Sequence, residues 1–166
     1  MPYIKEENRP KMDEVIEALH EDYLHTNELV YILFEYCDKH IKPSYNNYKN
    51  FCGELCQCAI EIERRTGAEE SSIVGVDANV SDVSLITCDK KIEFMRDANI
   101  QVNGDLNYIL YGYCLRHKTA EEYSEFWNKA RYREFARELR LTAKKITKEI
   151  LAPYEDQKII ENGDVI

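Results

Sequence analysis

Apolar residues recur along this chain at three- and four-residue steps, punctuated by proline, glycine and short polar stretches, a pattern that predicts mainly amphipathic helices. Met12, Val15, Leu19 and Tyr23 form the first stripe, behind Pro10 at a position that a first helical turn tolerates. Asn27 stands as the N-cap of a second helix, Leu29 to Ile41, which is apolar almost all round and stops before Pro43. Such a helix belongs in the centre of its unit. Ser44 caps a third, whose seam of Tyr45, Tyr48, Cys52, Leu55, Ala59 and Ile62 ends at Thr66 and Gly67. Between Asp82 and Gln101, the alternation of Val83, Leu85 and Thr87 predicts a brief strand or loop, followed by a short helix from about Cys88. Asn103, Gly104 and Asp105 open another apolar helix. Thr119 with Glu122 then reads as a capping box for a helix that starts with Tyr123, Phe126 and Trp127, with a bend expected near Ala130. Its stripe of Tyr132, Phe135, Leu139, Ala143, Ile146 and Ile150 runs to Pro153. In the tail, Asn162-Gly163 between short apolar runs predicts a β-hairpin over Lys158 to Ile166, with Met1 to Ile4 as its third strand.

The two most apolar helices are copies. Glu28 to His40 (ELVYILFEYCDKH) and Asp105 to His117 (DLNYILYGYCLRH) lie 77 positions apart, and seven of their thirteen pairs are identical. A second block recurs at an offset of 84, where Tyr48, Phe51, Glu54, Leu55, Ala59 and Ile62 answer to Tyr132, Phe135, Glu138, Leu139, Ala143 and Ile146. The chain is therefore a duplicated helical unit with seven extra residues in the second copy. The expected organisation is a first repeat over 1–67, a joint over 68–82 and a second repeat with the C-terminal hairpin over 83–166. Together they form one compact domain: a mainly α bundle of two repeated helical hairpins, with a small β-hairpin or three-stranded sheet made by the termini.

Composition narrows the function. With 166 residues, 44% hydrophobic side chains, 6 Gly and 4 Pro, the chain can bury a good core. A net charge of −9 argues against general nucleic-acid or membrane-surface binding, which need cationic surface. Six cysteines set within helix patterns, with no apolar signal segment behind Met1, fit reduced thiols in the cytoplasm.

Several phrases together resemble one family of small uncharacterised proteins of bacteria and their phages: the opening MPYIK, SYNNYKNF with GELCQCAIEIERR, GDLNYILYGYC, and the ending LAPYEDQKIIENGDVI. Short members look like a single copy, so this chain looks like a tandem duplication within the family. The resemblance implies a phage or mobile-element context and no reaction; an anti-defence role is a candidate within that context.

Candidate chemistry is sparse. Cys37-x-x-His40 and Cys114-x-x-His117 put a thiol and an imidazole on one helical face in each copy, a tetrahedral zinc set if brought together. The same residues suit buried core thiols and histidines at the negative end of a helix, so no metal is assigned. Cys52, Cys56 and Cys58 read as core, since Cys58 is turned away from the other two and Ala136 stands at the first matched position of the second copy. Glu121-Glu122-x-x-Glu125 resembles the EExxE motif with which helical nucleoside triphosphate pyrophosphatases hold magnesium, yet the only later ExxD, Glu161 to Asp164, falls on the expected hairpin. Glu54 and Glu138, matched between copies, are placed to pair across a pseudo-twofold. Against the acidic background stands a basic stripe of Arg133, Arg137, Arg140, Lys144 and Lys148, within a segment, Arg131 to Lys148, of net +5.

These features favour a non-catalytic module that binds or sequesters either an acidic protein surface or a small phosphorylated nucleotide. Arg133, Arg137, Arg140, Lys144 and Lys148 would hold the charge and Trp127 would stack. No cofactor is expected. The alternatives are a magnesium-dependent all-α pyrophosphatase and a purely structural homo-oligomer.

Overall fold

The structure is a computed structural model and describes residues 4–22, 24, 25, 27–70 and 82–161, with backbone alone for 82–84. After a 3-10 turn at Glu6–Asn8 come α1 (Arg9–His20), α2 (Glu28–His40), α3 (Tyr45–Thr66), α4 (Asp82–Asp97), α5 (Asp105–His117) and α6 (Glu125–Ile146), then a π-helical turn at Thr147–Leu151 and α7 (Ala152–Glu161). The local signals explain several boundaries. Ser44 Oγ accepts the Asn47 N–H at 3.0 Å to start α3, and Gly67 at φ 72° ends it in the left-handed conformation that glycine adopts without strain.

Three expectations are corrected. No strand occurs among the described residues, so the terminal β-hairpin or sheet is overturned. Lys158 to Glu161, expected as its first strand, is the last turn of α7, closed by a Lys158–Glu161 ion pair at 3.1 Å. The Asn162-Gly163 turn and residues 1–3 lie outside the described residues. Pro153 does not stop the chain's helical course. The π turn before it closes with an Ala152 N–H to Thr147 carbonyl bond, widening the backbone where a proline ring would clash. Likewise Asp82–Asp97 is one helix, with no strand at its start. Leu85, Cys88, Ile92 and Met95 step by three and four, and all but the half-buried Leu85 are buried, so packing of that stripe outweighs the local alternation.

The two copies are exchanged. The main partners of the core helix α2 are α4 and α6, those of its counterpart α5 are α1 and α3, and α3 lies along α6. Every one of these contacts crosses from one copy to the other. Met12, Val15, Ile16 and Leu19 of α1 answer to Cys88, Lys91, Ile92 and Met95 of α4, 76 positions on, and all eight are buried. Polar links repeat the exchange. The Tyr108 hydroxyl donates to Asp13 at 2.8 Å and the matched Tyr31 hydroxyl to Asp89 at 3.0 Å. Glu54 accepts the Gly104 N–H at 2.8 Å, and Glu138 accepts the Asn27 N–H at 2.5 Å. The matched glutamates do not pair with each other; each holds the N-terminus of the other copy's core helix, where free N–H groups and the helix dipole favour a carboxylate. Asn27 and Gly104 are themselves matched, and both have positive φ, 70° and 117°. Their left-handed turns aim the N–H groups at the glutamates; the Asn27 side chain makes no cap, unlike its expected role.

Around this exchange the core is continuous. Leu29, Ile32 and Leu33 of α2 and Leu106, Ile109 and Leu110 of α5 belong to one buried cluster, and the matched ring pairs Tyr36–Phe51 and Tyr113–Phe135 stack at 6.2 and 5.7 Å. Each such buried large side chain contributes about 1.5–3 kcal/mol relative to exposure.

Candidate functional site

Helix α6 carries most of what the sequence singled out. It begins at Glu125, capped by Ser124, whose Oγ accepts the Trp127 N–H at 3.3 Å. The expected Thr119 cap is displaced because the Thr119 hydroxyl is hydrogen-bonded to that of Tyr132 at 2.5 Å. Two bonds between Ala120 and the Asn128 amide, at 3.0 and 3.1 Å, pin the connection onto α6. Phe126 and Trp127 consequently project from the first turn, 72% and 60% exposed, with their rings edge to face at 5.5 Å. Tyr123 is exposed beside them, with the Arg131 guanidinium 5.1 Å from its ring centre.

The basic stripe divides in two. Arg137 is forked onto Glu134, and Arg140 crosses to Glu63 on α3, so both serve the fold. Arg133 and Lys144 are exposed along α6, Lys148 is exposed on the π turn, and none of the three makes an ion pair among the described residues. At about 100° per residue, Phe126, Arg133 and Lys144 fall on one side of α6 and Trp127 about a quarter turn away. The structure thus brings together an aromatic head and a line of free cations.

The other candidates are not assembled. Cys37 and Cys114 are fully buried, and burial pushes both thiols up to about 12. His40 rests against Tyr36, while His117 stacks on His20 at 3.7 Å and reaches Glu17 at 3.2 Å. Glu121 and Glu122 sit in the turn before α6, and Glu125 pairs with Lys129 at 3.1 Å. Among the described residues no group of three His, Cys, Asp or Glu side chains is placed to hold a metal ion.

A feature not singled out from sequence lies where α2 begins, α5 ends and α6 passes. A cavity of 270 Å³ there has Leu24 and Phe135 as its apolar wall and His25, Lys118, Arg131, Glu134 and Glu138 as its polar wall. Burial pushes the Glu138 carboxyl up to about 7, against the opposing pull of the Asn27 N–H and the Lys118 charge. Burial likewise holds the Lys118 ammonium below its ordinary range, with Glu138 opposing. Arg131 donates to the His117 carbonyl at 3.2 Å. Comparison of the copies contains the signal: Lys118 stands where the first copy has Ile41, and Arg131 where it has Asn47.

A family model described as a domain of unknown function (DUF6899) matches residues 1–73 and again 84–165. The chain belongs to that family and carries its domain twice, as a tandem duplication. No curated protein and no solved structure matches it. Among the described residues no helix is long and apolar enough to cross a membrane.

Proposed function

We propose that this protein is a non-catalytic binding module of phages or mobile elements. It acts in the cytoplasm and captures a partner protein through the outer face of α6. The aromatic head anchors the complex, and Arg133, Lys144 and Lys148 meet an acidic rim on the partner. The carrying observation is the exposure of Phe126 and Trp127 side by side on the first turn of α6, within the stretch that the first copy lacks. Large aromatics are enriched at the centres of protein interfaces, and unpaired cations alongside steer association with an acidic surface. A protein surface suits this face better than a nucleotide, because two of the five stripe cations are already engaged and a convex helix offers no pocket to enclose a base. The phage context is supported by the resemblance of the terminal and helical phrases alone.

The test uses tagged protein and extracts of cells that express it: wild type, Phe126→Ser with Trp127→Ser, Arg133→Glu with Lys144→Glu, and a control Lys39→Glu on α2. Retention of one partner by wild type and control, lost in both α6 variants, is the expected result. Equal retention of every bound protein by all four overturns the reading.

A further inference from the structure

We propose that the cavity between the start of α2, the end of α5 and α6 binds a small ligand carrying a phosphate or carboxylate group, held by Lys118 and Arg131. This site is separate from the α6 outer face and does not rest on it.

The charges of the wall decide the sign of the ligand. Both carboxylates are already engaged: Glu134 holds Arg137 in a fork, and Glu138 accepts the Asn27 N–H at 2.5 Å. The two cations make no ion pair among the described residues, although the chain as a whole carries −9 and has 31 acidic side chains to offer. Lys118 is half-buried, so its ammonium has left part of its hydration behind, and the charge of Glu138 offsets that loss only in part. Arg131 uses one of its five N–H donors on the His117 carbonyl, and the rest remain for an oxyanion. An anion in the cavity would supply both cations with the partner they lack.

The first copy serves as an internal control. Near the matched place a cavity beside Glu54 and Gly104 has Val102, Asn50 and Glu54 at the positions of His25, Glu134 and Glu138, with Lys49 also in its lining, and that glutamate makes the same capping bond as Glu138. The Lys118 position is Ile41 in the first copy and the Arg131 position is Asn47, and neither residue lines that cavity. The fold is therefore built at this point without either cation, and a half-buried lysine is a poor structural substitute for isoleucine. A cavity of 270 Å³ has room for a phosphate or carboxylate with a small organic group.

The experiment measures the thermal midpoint of the intact protein in rising concentrations of inorganic phosphate, of acetate and of chloride at matched ionic strength. It is repeated with Lys118→Ile and Arg131→Asn, the residues of the first copy, and with Lys39→Glu on α2 as an outside control. Saturable stabilisation by phosphate or acetate, absent with chloride, is expected in wild type and control. Which of the two anions acts identifies the ligand group. Each cavity variant should weaken that binding roughly tenfold or more, the loss of a charge-assisted hydrogen bond, without a lower midpoint of its own. Isothermal titration with the active anion provides the second readout should one variant fold poorly. Millimolar phosphate and acetate that stabilise no more than chloride, or an effect that both cavity variants retain in full, overturns the proposal.

Discussion

Replacing Glu138 by glutamine tests whether a single buried carboxyl makes the stability of this fold depend on pH near neutrality. Glu138 is 5% exposed, and its carboxyl is pushed from 4.5 to about 7 by burial. The native state therefore holds this proton more tightly than the unfolded chain does. Its contribution to stability is complete below about 4.5 and is lost as the pH rises through 7. At about 1.36 kcal/mol for each tenfold change in proton affinity, the loss across that window is about 3 kcal/mol, a large fraction of the 5–15 kcal/mol that holds a domain together. Glutamine has nearly the same shape, keeps an acceptor for the Asn27 N–H and cannot ionise.

Urea denaturation of wild type and Glu138→Gln at pH 5, 6, 7 and 8 should therefore show curves that diverge as the pH rises, the variant gaining about 2–3 kcal/mol on wild type between the extremes. The difference between the proteins is the readout because His20 opposes Glu138 in the wild-type curve. Burial, and His117 stacked on it, hold its imidazole below 6.5, so its contribution is present above 6.5 and lost as the pH falls. His20 is common to both proteins and cancels. Parallel curves would refute the assignment of a proton to Glu138 in the folded state near neutral pH.

Two further outcomes follow from the exchange of helices. Glu54→Ala removes the acceptor of the Gly104 N–H, and it should cost about 1 kcal/mol in urea denaturation, the expense of losing a hydrogen bond at a partly buried polar group; an effect below a few tenths would show that Glu54 does not hold α5. Cutting the chain within 71–81 should give two fragments that each lack cooperative unfolding alone and regain it as a 1:1 complex when mixed, read by circular dichroism and sedimentation. Two independently folded fragments would contradict the exchange.

Much of this fold was legible in the sequence because duplication and helical periodicity are local properties. The offsets of 77 and 84 exposed the two units, Ser44 and Gly67 marked α3, and the apolar periodicity of α2 and α5 marked them as core. The errors lay where a local signal was outweighed from a distance. Val83, Leu85 and Thr87 alternate like a strand, but the stripe from Leu85 to Met95 packs on α2 as a helix. Thr119 resembles a cap until Tyr132 takes its hydroxyl. The candidate site was half legible: charge and spacing picked out the α6 stripe, yet nothing in that spacing separates Arg137 and Arg140, which bind Glu134 and Glu63, from Arg133 and Lys144, which remain free.

Sequence by itself determined that this protein is a helical tandem duplication with its two most apolar helices at the centre, because apolar periodicity and internal identity need no partner to be read. Only the tertiary structure decided which copy packs on which. Glu54 and Glu138 looked like a pair and instead hold the opposite copy's core helix, and Lys118 and Arg131, which no sequence pattern singled out, line a cavity with Glu138 at the start of α2. Partner choice among equivalent apolar faces, and the burial of a charge, depend on residues 50 to 111 positions away, and no local window contains them.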